Sequence, residues 1–310
     1  MKFAFVFPGQ GSQSTGMMAG FAGLAVVRET FAEASDILQQ DLWTLVTDGS
    51  EAALNQTVNT QPLMLTAGVA VYRAWEDLHG AEPALMAGHS LGEYSALVAA
   101  GAVSFAEALP LVRLRARAMQ EAVPEGTGGI AAILGLDDDA VAAVCREAAA
   151  GEVVEPANFN SPAQVVIAGH RAAVERGMAL AKERGAKRAV MLPMSAPSHC
   201  SLMRPAAERL AAALETVALQ SPQIPVIHNA DVQGHESPAS IRDALVRQLY
   251  SPVRWTETVR SMAATGIGLV VECGPGKVLT GLSKRIDAGL PAAALMDEAS
   301  LRQVLDQVAG

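Results

Sequence analysis

Ala84 to Ala100 reads ALMAGHSLGEYSALVAA. The apolar run Ala84–Ala87 has the make-up of a short buried strand, and from Leu91 onward small and apolar residues recur at helical spacing as far as Val98. Between them lies Gly88-His89-Ser90-Leu91-Gly92, a G-x-S-x-G turn. The predicted local structure is strand, elbow, helix. Glycines at both ends of the turn let the chain segments crowd together, so Ser90 can sit on a sharp bend with its hydroxyl projecting beyond the sheet. The helix that follows aims unpaired N–H groups and the positive end of its dipole at any negative oxygen forming beside Ser90. That arrangement favours acyl transfer through a serine nucleophile. So short a pattern also arises by chance, however, and the alternative is a turn with no chemistry.

The 310 residues suffice for one large domain or two unequal ones. Hydrophobic residues make up 50% of the chain and aromatic ones only 4%, so the core is expected to consist mostly of Ala, Val, Leu, Ile and Met. A net charge of −9 argues against a general nucleic-acid binder, which needs a basic stripe to displace counterions. Small molecules and proteins are the expected partners. Cys145, Cys200 and Cys273 are widely spaced and form no C-x-x-C pair, so neither a disulfide framework nor a metal site is indicated. The N-terminal apolar run stops at Pro8-Gly9, too early for a signal sequence, and no stretch approaches membrane-spanning length. A cytoplasmic protein with no membrane contact is expected.

Phe3 to Phe7 reads as a buried strand ending in the loop PGQGSQ, with Gln10 at its centre. Met17–Leu45 and Glu51–Leu78 read as helical, with Thr60-Gln61-Pro62 leading into a long apolar helix from Leu63. Phe105 to Val123 forms an amphipathic helix carrying Arg113, Arg115 and Arg117, closed by Pro124-Glu125-Gly126. From Gly128 to Pro193 the pattern is strand, helix, strand, strand, helix, strand, the order of a ferredoxin-like unit. Alternating strands and helices resume afterwards, at Leu202–Val217, Pro225–Asn229, Ile241–Tyr250, Leu269–Glu272, Lys277–Ile286, Ala292–Leu295 and Leu301–Val308. Such alternation implies a mostly parallel sheet covered on both faces. The predicted fold is α/β, with residues 1–126 and 196–310 forming an α/β-hydrolase-like large domain and residues 127–195 an inserted ferredoxin-like small domain.

A serine needs a base, and histidine is the usual choice near neutral pH. His89 adjoins Ser90, and its side chain should point away from the nucleophile in a structural role. His79, His170, His228 and His235 read most simply as surface or capping residues. His199 differs, because it lies in Met194-Ser195-Ala196-Pro197-Ser198-His199-Cys200, where the chain returns from the inserted unit and a cleft between domains is expected. A polar loop residue remains its alternative.

The chain also carries, in order, PGQGSQ (8–13), GHSLGEYSALVAAG (88–101), LRARAMQ (114–120), ANFNSPAQVVIAG (157–169), PSHC (197–200), QLYSPVRW (248–255) and ECGPGKVLTGL (272–282). Together these resemble the malonyl-CoA:acyl carrier protein transacylases of bacterial type II fatty-acid synthesis, over essentially the whole length. The resemblance implies that Ser90 is the acylated nucleophile and His199 its base, later the acid that protonates the departing thiolate. It implies that a main-chain carbonyl at Gln248 orients the imidazole, so that no catalytic carboxylate is required. The backbone N–H groups of Gln10 and Leu91 are the implied oxyanion hole. Arg115 matches the arginine that grips the malonyl carboxylate, a task suited to a planar guanidinium with paired donors. Its alternatives are a helix-surface charge or a structural ion pair. Arg113 and Arg117, about 200° around the helix from Arg115, read as solvated charges. Gln61 and Asn160 match polar positions near the substrate, with helix capping and loop hydrogen bonding as their alternatives.

Leu91 is the branched apolar residue that malonyl-selective members carry after the nucleophile, although rejecting one extra methyl is worth only about 1 to 3 kcal/mol. The implied partners are malonyl-CoA and acyl carrier protein, with no cofactor, since the CoA thioester and the phosphopantetheine are substrates. A monomer is expected. Lys182, Arg184, Lys187 and Arg188 are candidates for meeting an acidic carrier. Three other readings stay open at this point: an extender-unit acyltransferase for polyketide synthesis, a serine thioesterase or esterase, and a non-catalytic carrier-binding module.

Overall fold

The structure is a computed structural model and describes residues 1–193 and 196–309. Strand β1 (Phe3–Phe7) is followed by helices α1 (Ala25–Leu38), α2 (Leu42–Asp48), α3 (Glu51–Leu54) and α4 (Thr57–Asp77). Next come β2 (Leu85–Gly88), α5 (Gly92–Ala99) and α6 (Phe105–Glu121). The middle of the chain forms β3 (Gly128–Leu134), α7 (Asp138–Ala149), β4 (Val154–Ser161), β5 (Gln164–His170), α8 (Arg171–Glu183) and β6 (Arg188–Met191). The remainder is α9 (Arg204–Leu214), β7 (Val226–Ile227), α10 (Pro238–Tyr250), α11 (Trp255–Ala264), β8 (Leu269–Cys273), α12 (Val278–Ile286), β9 (Ala292–Leu295) and α13 (Glu298–Ala309).

The larger sheet has the order β7-β2-β1-β8-β9, and every pairing in it is parallel. Its central strand, β1, shows why an unbroken apolar run was needed. Alternate residues of a strand face opposite ways, and Phe3, Phe5 and Phe7 enter one core with Tyr72 and Trp75 of α4. Ala4 and Val6 enter the other core, with Val259 and Met262 of α11 and Leu279 and Leu282 of α12. Helices therefore cover both faces, as a parallel sheet requires. The few aromatic residues are concentrated where β1 meets α4, whereas the second core is largely aliphatic.

The smaller sheet is antiparallel with the order β4-β5-β3-β6, the ferredoxin-like arrangement. Helices α7 and α8 cover one face. On the other face Ile130, Ala157, Val166 and Ala168 pack with Cys200, which belongs to the returning chain. Strand β4 is tied to the main body by hydrogen bonds from Val253 N to Ala157 O at 2.9 Å and from Phe159 N to Val253 O at 2.9 Å. Of the heptapeptide 194–200, Met194 and Ser195 lie outside the described residues, as does the expected domain boundary after residue 195.

Several local expectations are corrected. Met17–Leu45 is not one helix: Gln39 adopts a left-handed conformation at φ 52° to end α1, and the Asp41 side chain caps α2 by accepting from Thr44 N. The apolar helix begins at Thr57, not Leu63, so Pro62 lies inside α4. Pro62 is the sixth residue of α4, past its first turn, so it withdraws from the ladder the N–H that Val58 O would otherwise receive, and Gln61 is set on the helix just before it. Helix α11 was not foreseen, because its Thr and Val residues are weak helix formers. Trp255, Val259 and Met262 nevertheless fall on one buried face of it. Among the described residues no helix is long and apolar enough to cross a membrane.

The elbow glycines are constrained by contact. A Cβ on Gly88 would stand 1.9 Å from the Gly92 carbonyl carbon, and one on Gly92 would stand 2.0 Å from Phe7 O. Both obstacles are backbone, so relief requires β1, β2 and α5 to separate. Gly88→Ala and Gly92→Ala are each expected to cost about 3 kcal/mol, read as a lowered Tm or loss of folded chain. Unchanged melting would contradict this packing.

Candidate active site

Ser90 stands between β2 and α5 at φ 52°, a left-handed conformation uncommon for a residue with a Cβ. The strain is held from behind: Ser90 N donates to Asn229 Oδ1 at 2.7 Å, and Asn229 Nδ2 donates to Gly88 O at 2.7 Å. Asn229 thus clamps the elbow from the loop after β7. His199 also has positive φ, at 62°, and is anchored by its N–H to Leu249 O at 3.0 Å.

The Ser90 Oγ and the His199 Nε2 are 2.7 Å apart, and His199 Nδ1 is 2.8 Å from Gln248 O. A carbonyl only accepts, so Nδ1 carries the ring proton and Nε2 is left to accept from the serine hydroxyl. Burial, reinforced by the nearby Arg115 charge, pushes the His199 pKa down to about 3 against the opposing effect of the Gln248 carbonyl. The imidazole is accordingly neutral near pH 7, the form a general base needs.

Arg115 projects from α6 and is 1% exposed. Its NH1 donates to Gln61 Oε1 at 2.7 Å, and its NH2 to Gln248 Oε1 at 2.9 Å and Ser90 Oγ at 3.3 Å. Its Nε has no partner among the described residues, and burial pulls its pKa down from the ordinary guanidinium value. Two carboxamide oxygens therefore hold a buried cation beside the Ser90 hydroxyl.

Gln10, Gln61, His89, Ser90, Leu91, Arg115 and His199 line one narrow cleft, joined by Asn158 from the small lobe. The amides of Gln10 and Leu91 donate to no acceptor among the described residues, and an added Cβ on Gly9 would lie 3.7 Å from Leu91 N. The first loop thus approaches the residue after Ser90, and both amides are free to donate.

Asn160 is not among the cleft-lining residues. It holds His89 through a 2.8 Å contact between Oδ1 and Nε2, and the His89 ring packs edge-on against Trp255. Gln61 lines the cleft and also bonds Arg115. Arg113 is not a solvated charge: it donates to Leu38 O at the end of α1 and to Gln40 Oε1, whereas Arg117 is exposed as expected. His228, expected at the surface or in a cap, is fully buried with Nδ1 2.8 Å from Glu93 Oε1. His235 is half-buried against Asp231, His170 accepts from Val153 N, and His79 is exposed. Lys182, Lys187 and Arg188 are exposed on the small lobe, and Arg184 is paired with Glu147.

Sequence reasoning missed Asn229, Asn158, Met119 and Glu93. A signal existed for Glu93: it is the one charged residue in the buried first turn of α5, and such a group must find partners. No group of His, Cys, Asp or Glu among the described residues could hold a metal ion.

Comparison with known proteins places this geometry in context. The model of the acyl transferase domain matches residues 4–298. The malonyl CoA-acyl carrier protein transacylase of Salmonella typhimurium is 58% identical over 307 residues, covering 99% of each chain. An acyl-carrier-protein S-malonyltransferase from Burkholderia pseudomallei superposes with a TM-score of 0.97 at 60% identity, covering 99% of this chain and 100% of that one. A malonyl-transacylase solved in complex with its type II PKS acyl-carrier protein gives a TM-score of 0.98 at 56% identity, with 99% and 100% coverage. Since the matched span runs from the first strand to the start of the last helix, this chain belongs to the family of acyl transferase domains.

Proposed function

We propose that the protein transfers the malonyl group of malonyl-CoA to the phosphopantetheine thiol of acyl carrier protein through a malonyl-Ser90 ester. The observation that carries this reading is the buried Arg115 guanidinium 3.3 Å from the nucleophile oxygen. A cation that close to the acyl position suits an acyl group ending in a carboxylate.

In the first half-reaction Ser90 Oγ attacks the thioester carbonyl while His199 Nε2 takes its proton. The oxyanion receives the amides of Gln10 and Leu91. Collapse breaks the C–S bond, and His199 returns the proton to the CoA thiolate. The malonyl carboxylate then rests on Arg115, supported by Gln61. In the second half-reaction the carrier thiol gives its proton to His199 and attacks the ester, and Ser90 is regenerated. The steps balance with the CoA thioester and the carrier thiol as the only reactants, so no cofactor is required.

The proposed reaction needs no group from a second copy of the chain, and action as a monomer is part of this reading. Three buried free cysteines and a CoA substrate fit the cytoplasm. Lys182, Lys187 and Arg188 offer an acidic carrier a basic face. Against a thioesterase, Arg115 is placed to retain an acyl acid that a hydrolase has less reason to keep. The malonyl group so transferred supplies fatty-acid synthesis; the neighbour solved with a type II PKS carrier is the observation behind the one variant, in which the carrier serves polyketide assembly.

Initial rates with malonyl-CoA and holo carrier protein varied together should give the parallel lines of a ping-pong reaction. Intersecting lines would contradict the ester intermediate, and faster turnover with a polyketide carrier than with a fatty-acid carrier would select the variant. A further expectation concerns pH. Because the His199 pKa is depressed to about 3, the base is already deprotonated at pH 5, and kcat/KM should show no acid limb near 6.5. A limb centred close to 6.5 would contradict the assignment.

A further inference from the structure

Glu93 lies beneath the elbow, is fully buried, and accepts three hydrogen bonds from two parts of the chain. His228 Nδ1 donates to its Oε1 at 2.8 Å, while Asn229 N at 2.9 Å and Gln248 Nε2 at 3.0 Å donate to its Oε2. Neither oxygen faces the cleft lining, and the mechanism above assigns Glu93 nothing. Two of its three partners, Asn229 and Gln248, are residues on which the site depends.

The Gln248 carboxamide has two possible orientations. As found, Nε2 donates to Glu93 and to Ser90 O, so Oε1 must face Arg115 NH2. The opposite orientation would set an NH2 against a guanidinium N–H, donor against donor, and would turn an oxygen toward a carboxylate. A carboxylate beneath Gln248 excludes that flip. We propose that Glu93 is a positioning residue for acyl-group selectivity: by fixing the Gln248 carboxamide it aims the Arg115 guanidinium at the carboxylate of the acyl group. This rests on the malonyl-transfer reading above.

His228 supplies the means to separate acceptor geometry from charge. Its Nε2 is buried without a partner among the described residues. In Glu93→Gln the new carboxamide can keep its oxygen on Asn229 N and Gln248 Nε2 while its NH2 donates to His228 Nδ1. The ring proton then moves to the vacant Nε2. Acceptance toward Gln248 survives and the charge does not. Glu93→Leu removes both.

The test measures kcat/KM for malonyl and for acetyl transfer in Glu93→Leu, Glu93→Gln and Gln248→Leu, with wild type alongside. Acetyl carries no carboxylate, so loss of elbow rigidity lowers both rates and only misalignment of Arg115 changes their ratio. The malonyl-to-acetyl ratio should fall roughly tenfold or more in Glu93→Leu and stay within about threefold of wild type in Glu93→Gln. A folded Glu93→Leu chain with an unchanged ratio overturns the proposal, as does a Glu93→Gln ratio equally low. Gln248→Leu removes the contact to Arg115 itself while keeping the carbonyl that holds His199, so its ratio must fall, and an unchanged ratio overturns the proposal. If Glu93→Leu is not recovered folded, Glu93→Ala is measured in its place with the same two outcomes. A wild type with no malonyl preference would instead overturn the functional reading itself.

Discussion

Arg115→Ala is expected to abolish most malonyl transfer while acetyl transfer survives or improves. Two charge-assisted hydrogen bonds to a carboxylate in a water-poor cleft are together worth about 3 to 5 kcal/mol, or roughly 10²- to 10⁴-fold in kcat/KM. An uncharged acyl group never makes those bonds and loses nothing with them. Removing the cation also removes a charge that opposes protonation of His199, so the imidazole pKa should rise toward its ordinary value. The variant should fold, because the arginine is a buried charge with no carboxylate within hydrogen-bonding distance among the described residues. Steady-state rates with the two CoA esters side by side check this. Equal loss for both would mean that Arg115 serves the architecture and not the acyl carboxylate.

Ser90→Ala is expected to lower transfer by roughly 10⁴-fold or more, since the covalent route closes entirely. The elbow itself should persist. Its left-handed backbone is held by the Ser90 N–H to Asn229 and by the crowding of Gly88 and Gly92, none of which involves the hydroxyl. An unchanged Tm with lost activity is the expected pair of results, and retained transfer would favour a module that binds carrier without reacting.

What was legible in the sequence was whatever a short segment determines. The elbow could be read because its G-x-S-x-G pattern is local and Gly88 answers to Gly92, although Gly92 is itself crowded by the distant Phe7 of β1. Strand β1 could be read because burial on both faces writes an unbroken apolar run. The ferredoxin-like order could be read because each of its elements has its own periodicity.

Contacts between distant segments could not be read in the same way. Helical geometry separated Arg113 from Arg115, but it did not reveal that the end of α1 would cover Arg113. His228 resembled a surface residue because Glu93, which buries it, lies 135 positions away. Asn160 was expected beside the substrate and is turned onto His89, where a register irregularity between Phe159 and Ser161 breaks the alternation of β4. The roles of Ser90, His199, Arg115 and Gln248 entered through resemblance. The fold then brings the four within hydrogen-bonding distance of one another.

The central claim, that Ser90 carries the acyl group between two thiols, is tested most directly by mass spectrometry of the chain after brief exposure to malonyl-CoA without carrier protein. A malonyl ester on the peptide containing Ser90, discharged when holo carrier protein is added, is the predicted result. Free malonate accumulating while Ser90 stays unmodified would contradict it.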